Sequence, residues 1–528
     1  MSLRKRLSGA AVGLCVLGAA LCAPTSPALS QENLRIAWPY EVTSLDPSGT
    51  GVIRSTWGLA WHLYDRLFTF DVRDIGGGAF HYDDTRLKGE LAESWAFSED
   101  GKTLTIDLKQ ATFHDGSKVT AEDVVWSLTR AMSLKTSAGV MKAGGLTDPD
   151  QLAVVDEDTL TITFPERNRL VLPLLTVPMA NIMNADLAKR HATADDPWAT
   201  DWLKSNAAGG GAYSVERFRN EQVVLQRFDD WKSGPLPAYE KVVFVAIPEA
   251  STRGALVERD SADVAIAIPP GDLDAIKNRG DAQVIAIPME NQIEFIGFNS
   301  QKPPFDNPKV RQAIAYAIPY QDLFDSIYFG RGNPLFGASG NATRMKFPQA
   351  HGYSYDPEKA RQLLAEAGFP NGFDFELSYC TCKSDYFEPM AVAIKDSLGK
   401  IGINAIIAKK PAAQFDETLV DKSYEVMLNN VISWLTSPDY WFNVFYSGDH
   451  RSNYGSYKSA EMEALLTEAK TAPTEDAYVA ANLKMIDLAL NDVPLLFIRN
   501  GAFEIAMDQE MSAYTYWFHS LPDARYIR

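Results

Sequence analysis

Residues 91–131 read LAESWAFSEDGKTLTIDLKQATFHDGSKVTAEDVVWSLTRA, and this stretch carries the pattern that decides the fold. Apolar and polar side chains alternate over residues 103–108, which predicts a half-buried strand after a turn at residues 100–101. Thr120 stands where a helix N-cap is expected and Asp123 follows three residues later, a pairing typical of a capping box. The stretch therefore predicts a strand, a turn and a capped helix.

Further segments with recognisable patterns follow along the chain. They are SLDP (44–47), YDRL (64–67), GGGAY (209–213), FNSQKPPFDNPKVRQAIAYAI (298–318), YDPEKARQLLAEAGFPNGF (355–373) and DVPLLF (492–497). Their order and spacing resemble the extracellular solute-binding proteins of ABC importers, family 5, which includes the periplasmic oligopeptide and dipeptide receptors. The resemblance covers essentially the whole chain after residue 30.

The resemblance implies an α/β fold of two lobes joined by hinge strands, with an inserted subdomain in the first lobe. A chain of 528 residues also exceeds what a single hydrophobic core usually supports. We expect a signal peptide at 1–30, lobe I at 31–290 with its insertion at about 75–200, lobe II at 291–496, and a return to lobe I at 497–528. The hinge is expected near 292–299 and 493–498, and closure about it would bury a ligand.

The first thirty residues are typical of an export signal rather than of a folded element. A basic start at residues 4–6 precedes an apolar run at 10–23, and the small residues Ala28 and Ser30 suit cleavage before Gln31. A lipoprotein is the alternative, at Cys15 or Cys22, but a leucine precedes each cysteine where a small residue is needed. The sequence thus predicts a periplasmic protein.

The formal net charge of −18 argues against nucleic acid and against anionic membranes as partners. It suits a soluble monomer. The charge says little about the ligand, because a binding site often differs in charge from the surface around it.

After the signal peptide only Cys380 and Cys382 remain. On an extended strand their side chains would stand too far apart for an unstrained disulfide, so a bridge needs a local bend. Two reduced buried thiols, and a redox or metal pair, are the alternatives. The seven histidines show no metal-ligand spacing, so neither a metal site nor a cofactor is expected.

The segment SWLTSPDYWFNVFYS at 433–447 holds the candidate ligand loop. In the peptide receptors that this family contains, an aspartate three residues after the tryptophan usually holds the α-amine of the peptide. Three residues after Trp434 this chain has Ser437, which cannot neutralise an ammonium group. Asp439 would have to take that role from a displaced loop.

We expect ligand contacts from an aromatic-rich loop with polar tips: Trp434, Thr436, Ser437, Asp439 and Tyr440. Such a set suits a sugar, a sugar–amino acid conjugate or a modified peptide, since each offers ring faces and hydroxyls. Two residues outside the loop are further candidates. Trp57 shares a helical stripe with Trp61 and Tyr64; such a stripe is more often core than binding site, although Trp57 would lie near the cleft entrance. Arg344 either pairs with a ligand carboxylate or is solvated. Trp441, Phe442 and Phe445 have the spacing of helix core residues.

The resemblance implies a receptor that captures a small organic solute by lobe closure and delivers it to an ABC permease, with a chemoreceptor as a possible second partner. The alternative is a periplasmic hydrolase with two carboxylates across a cleft. The sequence contains no G-x-S-x-G, H-E-x-x-H or P-loop motif, and Gly209–Gly211 lacks the Lys-Ser/Thr of a phosphate loop. We therefore expect a binding protein and not an enzyme.

Overall fold

The computed structural model describes residues 31–49, 51–338, 342, 344–449 and 451–528. The predicted signal peptide, including Cys15 and Cys22, lies outside the described residues. The strands are β1 (Gln31–Trp38), β2 (Phe68–Gly76), β3 (Ala79–Gly89), β4 (Ala92–Phe97), β5 (Thr103–Leu108), β6 (Leu152–Val154), β7 (Thr159–Thr163), β8 (Tyr213–Arg219), β9 (Gln222–Arg227), β10 (Tyr239–Ala246), β11 (Val264–Ile266), β12 (Gln283–Pro288), β13 (Gln292–Phe298), β14 (Asn333–Pro334), β15 (Asp374–Cys380), β16 (Asn404–Lys410), β17 (Val426–Ile432), β18 (Leu495–Asn500), β19 (Ala502–Met507) and β20 (Tyr514–Tyr516).

The α-helices are α1 (Arg54–Leu63), α2 (Ala121–Ser133), α3 (Lys135–Ala143), α4 (Val171–Leu174), α5 (Ala185–Lys189), α6 (Thr200–Leu203), α7 (Ala250–Val257), α8 (Pro270–Arg279), α9 (Pro308–Ala317), α10 (Tyr320–Tyr328), α11 (Pro357–Glu366), α12 (Ser384–Gly399), α13 (Ala412–Asp421), α14 (Pro438–Phe445), α15 (Ala460–Thr471) and α16 (Glu475–Asp492).

Two large mixed sheets organise the two lobes. The first-lobe sheet has the order β12-β19-β11-β1-β10-β9-β8, and the second-lobe sheet has the order β14-β18-β13-β17-β15-β16. Two smaller sheets, β2-β3-β20 and β4-β5-β7-β6, come mostly from the segment between β1 and β8. The four-stranded sheet therefore lies within the predicted insertion.

The second-lobe sheet is covered on both faces. Along β13 every residue is buried, and alternate side chains enter different cores: Ile296 and Phe298 pack with α9, α11 and α12, whereas Ile293 and Phe295 pack with α14 to α16. A strand that is covered on both faces is usually a near-continuous apolar run, and β13 departs from that pattern at Gln292 and Glu294.

The chain crosses between the two large sheets twice. It passes from β12 to β13 through residues 289–291, and from β18 to β19 through Gly501. The hinge is predicted near residues 292–299 and 493–498. The first range nearly coincides with β13, and the second ends within β18. Both lie directly beside these crossings.

The local predictions of the opening stretch are confirmed. Residues 103–108 are β5, paired with β4 and β7. Thr120 caps α2: its hydroxyl accepts from the Asp123 amide, and the Asp123 carboxylate accepts from the Thr120 amide. Asn307 and Asp356 likewise cap α9 and α11, each with a proline in the first helical position.

Helix α1, which carries Trp57, is fixed on two sides. The glycine run at 209–211 passes so close to its carboxyl end that an added Cβ at Gly209 would lie 1.9 Å from the carbonyl oxygen of Leu63. From the other side the amide of Ala524 donates to His62 Nε2 over 2.9 Å. Burial lowers the pKa of His62 to about 4, so the ring stays neutral and can accept this bond.

Candidate functional site

Two tryptophans from different lobes meet at the boundary between the lobes. Trp57 lies in α1, and Trp434 follows β17 by two residues. Their rings pack edge to face with centroids 5.3 Å apart, and the Trp434 ring also lies 6.2 Å from that of Phe518. The Trp57 indole N–H donates to the carbonyl of Pro47 over 3.0 Å, which fixes the ring's orientation. Both rings are half-buried, so each keeps a face available.

Thr436 joins a polar contact between the lobes. Its hydroxyl donates to the carboxylate of Asp84 in β3. Lys346 Nζ lies 3.2 Å from the same carboxylate and 2.6 Å from Glu290, which also pairs with Arg73 over 2.7 Å. Burial alone would raise the pKa of Glu290, but the charge and hydrogen bond of Lys346, together with the charges of His81 and Arg73, outweigh burial and lower that pKa to about 2.

Ser437 and Asp439 form hydrogen bonds with each other and with Tyr478, and not with Trp57 or Trp434. The Ser437 hydroxyl donates to the Asp439 carboxylate, which also accepts from the Tyr478 hydroxyl over 2.9 Å. Burial raises the pKa of Asp439, although both hydrogen bonds oppose that rise. Asp439 lines a cavity of about 930 Å³, and Ser437 lines a neighbouring one of about 550 Å³. Arg169, which stacks on Tyr478 with 4.3 Å to the ring centroid, lines both.

The other candidates fall in the core or on the surface. Tyr440 is buried against the core of the first lobe. Trp441, Phe442 and Phe445 are buried in the second-lobe core, which confirms the prediction for these three. Arg344 is exposed and takes no part in the contacts described above.

Two cations on different lobes, which the sequence did not single out, lie close enough for the charge of one to affect the pKa of the other. Lys383 immediately precedes α12, and its ammonium group contacts the side-chain oxygens of Asn430 and, at 3.5 Å, Asn429. Burial, with a smaller contribution from the charge of Arg54, lowers the pKa of Lys383 to about 8. Arg54 begins α1 and donates to the carbonyl of His519 over 3.0 Å. Within the described part of the chain, neither cation forms an ion pair.

The nearest acidic group is already engaged. The charge of Glu294 raises the pKa of Lys383, but its carboxylate receives two hydrogen bonds from Arg499, at 3.1 and 3.0 Å. Since the Glu294 carboxylate is paired with Arg499, it compensates Lys383 only in part, and in the described residues neither Lys383 nor Arg54 has a carboxylate in direct contact. This region therefore carries an excess of positive charge inside an acidic protein.

A sequence signal for these two residues exists. Arg54 occupies the first position of α1, a helix with no acidic residue in its first turn, and Lys383 occupies the N-cap of α12. The amino end of a helix carries partial positive charge, so a cation there is unfavourable for the helix alone. A basic residue at such a position indicates a role outside the helix.

The family model of the bacterial extracellular solute-binding proteins, family 5 Middle, matches residues 86–453, which is more than half of the chain. The chain belongs to this family. Family 5 members are substrate-binding components of ABC importers, and so is this protein. Members of the family are binding proteins rather than enzymes.

Curated relatives span most of this family 5 chain. The probable D,D-dipeptide-binding periplasmic protein DdpA of Escherichia coli K12 is 25% identical over 494 residues, covering 93% of this chain and 92% of its own. The glutathione-binding protein GsiB of Salmonella paratyphi A is 27% identical over 404 residues, covering 76% of this chain and 74% of its own. These relatives carry different ligand names, so family membership leaves the ligand open.

Solved structures share the two-lobed fold. AgaA from A. tumefaciens R10, in complex with agropinic acid, has a TM-score of 0.73 at 24% identity and covers 94% of this chain and 98% of its own. NikA from Brucella suis, in complex with Fe(III)-EDTA, has a TM-score of 0.79 at 18% identity and covers 94% and 100%. Among the described residues no helix is long and apolar enough to cross a membrane. The same residues contain no group of three His, Cys, Asp or Glu side chains placed to hold a metal ion.

Proposed function

We propose that this receptor binds a small organic solute that carries a carboxylate. Arg54 from the first lobe and Lys383 from the second bind the carboxylate, and Trp57 and Trp434 pack against the ring or apolar part of the solute. Lobe closure brings Arg54 toward Lys383 and Trp57 toward Trp434. An ABC permease then receives the closed form. Binding is the whole of the chemistry.

The observation that carries the proposal is this pair of cations, neither of which has a carboxylate in direct contact among the described residues. A buried ammonium group loses hydration, and neutral hydrogen-bond acceptors offset that loss less fully than a partner of opposite charge does. Asn429 and Asn430 offer Lys383 neutral oxygens, and Glu294 is bound to Arg499. A ligand carboxylate between Arg54 and Lys383 would provide the missing charge and form charge-assisted hydrogen bonds with both.

A sugar–amino acid conjugate fits better than an unmodified peptide. Ser437 stands where the peptide receptors usually place an amine-binding aspartate, and the Asp439 carboxylate is bound by Ser437 and Tyr478. No acidic group of the candidate loop thus points to a free amine near Trp434. The complex of AgaA with agropinic acid supports this ligand class. A neutral oligosaccharide would leave the two cations without a partner.

The remaining expectations complete the proposal. The mature protein begins at Gln31 after removal of a signal peptide, is periplasmic and monomeric, and has no enzymatic activity. Lobe I comprises 31–290, with an insertion at about 75–200 and the return at 497–528, and lobe II comprises 291–496. Thr436, Tyr440 and Arg344 are less favoured as contacts than Trp57 and Trp434. A chemoreceptor that recognises the closed form is a further possible partner.

The test is a thermal-shift and calorimetric comparison of matched probes. Agropinic acid, fructosyl-glutamate, Met-Leu and a neutral tetrasaccharide represent the ligand classes. Met-Leu amide removes the carboxylate of Met-Leu, and N-acetyl-Met-Leu removes its amine. A ligand at a hundred times its Kd stabilises the folded protein by about 2.7 kcal/mol, which gives a measurable shift.

The proposal predicts that acids bind and that amidation abolishes binding, whereas acetylation of the amine leaves it intact. Binding of the tetrasaccharide alone would contradict the role of Arg54 and Lys383. Loss of Met-Leu binding on acetylation would show that an acidic residue, such as Asp439, holds an amine.

A further inference from the structure

The two cysteines of the described chain form a disulfide beside the proposed site. Cys380 is the last residue of β15 and is buried, whereas Cys382 is exposed in the single turn of 3₁₀-helix at Thr381–Lys383. Their Cα atoms are 5.2 Å apart. The chain therefore bends at the end of the strand, and this bend allows the bridge that an extended strand would not.

The bridged turn ends at the cation of the site. Lys383 directly follows Cys382, and helix α12 begins at the next residue. Within the turn, the Cys382 amide donates to Cys380 Sγ over 3.2 Å, and the Ser384 hydroxyl donates to the Thr381 carbonyl over 3.0 Å. The disulfide thus fixes the backbone from which the Lys383 side chain extends toward Asn429 and Asn430.

The bridge contributes more to local geometry than to global stability. A disulfide stabilises chiefly by shortening the loops of the unfolded chain, and the loop closed here is among the shortest possible. Its effect on the unfolding free energy is therefore small. Its effect on the turn is large, since it restricts the backbone conformations that the residues between β15 and α12 can adopt.

We propose that the Cys380–Cys382 disulfide is a redox-sensitive positioning element for Lys383, so that a thiol reductant reaching Cys382 weakens the binding of carboxylate ligands. The inference rests on the proposed function, because it assigns the disulfide to the same anion site. Cys382 is the accessible sulfur of the pair, and Cys380 is only 4% exposed.

The exchange requires an external thiol. The thiolate of a dithiol attacks Cys382 Sγ, a bond forms between those two sulfurs, and the Cys380–Cys382 bond breaks as Cys380 leaves as a thiolate that takes up a proton. The second thiol of the reductant, as a thiolate, then attacks the reductant sulfur that is bonded to Cys382 Sγ. This step releases Cys382 as a thiolate and leaves the reductant as a cyclic disulfide. Two electrons pass from the dithiol to the two cysteines.

The first test measures the pKa of Lys383 in the absence of any ligand. The full protein is acetylated with acetic anhydride over a pH series, oxidised or after dithiothreitol treatment, and mass spectrometry follows Lys383, with the exposed Lys395 of the same helix as the internal control. The oxidised protein should give Lys383 a pKa of about 8, and reduction should move it toward the ordinary value of 10.5. Lys395 should not change. An identical pKa of Lys383 in both states overturns the proposal.

The second test measures binding of agropinic acid and Met-Leu by calorimetry. Reduction, and the Cys380→Ser, Cys382→Ser double variant, should weaken binding of the acid that binds by at least tenfold, with a nearly unchanged Tm of the free protein. If Lys383→Met abolishes binding while reduction does not change it, the disulfide proposal is wrong and the proposed function stands. If Lys383→Met has no effect, the proposed function itself fails. Should the double variant not fold, the dithiothreitol comparison still decides.

Discussion

Trp57 and Trp434 contact each other edge to face across the two lobes, with ring centroids 5.3 Å apart and planes at 83°. One ring belongs to a helix of the first lobe and the other to the loop after a strand of the second. The contact exists only while the lobes are together. A ligand that lies against either ring therefore also affects the equilibrium between open and closed receptor.

Trp434→Ala should weaken binding of the carboxylate probes about tenfold or more. The variant loses an aromatic pair worth about 0.5–1.5 kcal/mol as well as a ligand-stacking face. Calorimetry measures the affinity, and Trp126→Ala is the matched control. Trp126 packs on Trp198 with centroids 5.8 Å apart, away from the proposed site. Equal affinities of Trp434→Ala and the wild type would remove Trp434 from the site.

Lys383→Met should reduce the difference in affinity between Met-Leu and its amide, because only Arg54 then remains to bind the carboxylate. Methionine retains much of the side-chain length but offers no charge, and hydrogen bonds to charged groups contribute about 1.5–3 kcal/mol. The expected loss for the acid is therefore about tenfold to a hundredfold. Lys395→Met, on an exposed position of the same helix, should bind like the wild type. If Lys383→Met prefers the acid over the amide as strongly as the wild type does, Lys383 does not contact the carboxylate.

Asp439→Asn should become relatively more stable as the pH rises. Burial raises the pKa of Asp439, so the folded state favours the protonated carboxyl. That contribution is present below the unfolded-state value, near 3.8, and is lost as the pH rises through the folded-state pKa. Asparagine cannot ionise, so the variant has no such pH-dependent contribution to lose. Tm measured from pH 3 to 8 should show the wild-type advantage over Asp439→Asn shrinking with pH, and a constant difference would refute the buried-carboxyl assignment.

Asp523→Asn should destabilise the protein by about 3–5 kcal/mol at pH 7, because it removes one partner of a buried ion pair. Asp523 accepts from Arg525 at 3.0 and 2.7 Å, and both side chains are buried. Urea unfolding measures the difference. Asp421→Asn, at an exposed helix end, is the control and should change the unfolding free energy little.

The pH dependence of the same pair has the opposite sign to that of Asp439. Burial would raise the pKa of Asp523, but the charge and hydrogen bonds of Arg525, together with the nearby His62 and His519, outweigh burial and lower that pKa to about 2. The stabilisation is complete above the unfolded-state value of about 3.8 and is lost as the pH falls toward 2. The gap between wild type and Asp523→Asn should therefore narrow below pH 4. A gap that stays constant down to pH 2 would contradict the pairing.

Local structure was predictable wherever one short segment contains both the interaction and its partner. The capping box of Thr120 and Asp123, the strand at 103–108 and the prolines after Asn307 and Asp356 each involve residues a few positions apart. The disulfide could not be settled in this way. Its formation depends on the bend after Cys380, which the 3₁₀ turn provides.

The sequence by itself determined the elements, the family and the departure at Ser437, because these depend on residue order and short-range periodicity. Only the tertiary structure decided which side chains share a surface. It placed Trp57 beside Trp434, turned Asp439 toward Tyr478, and brought the cations Arg54 and Lys383 within electrostatic reach of each other, with no ion pair to either among the described residues. Electrostatic and packing energies depend on distances in space, and positions far apart in the sequence acquire those distances only when the lobes assemble.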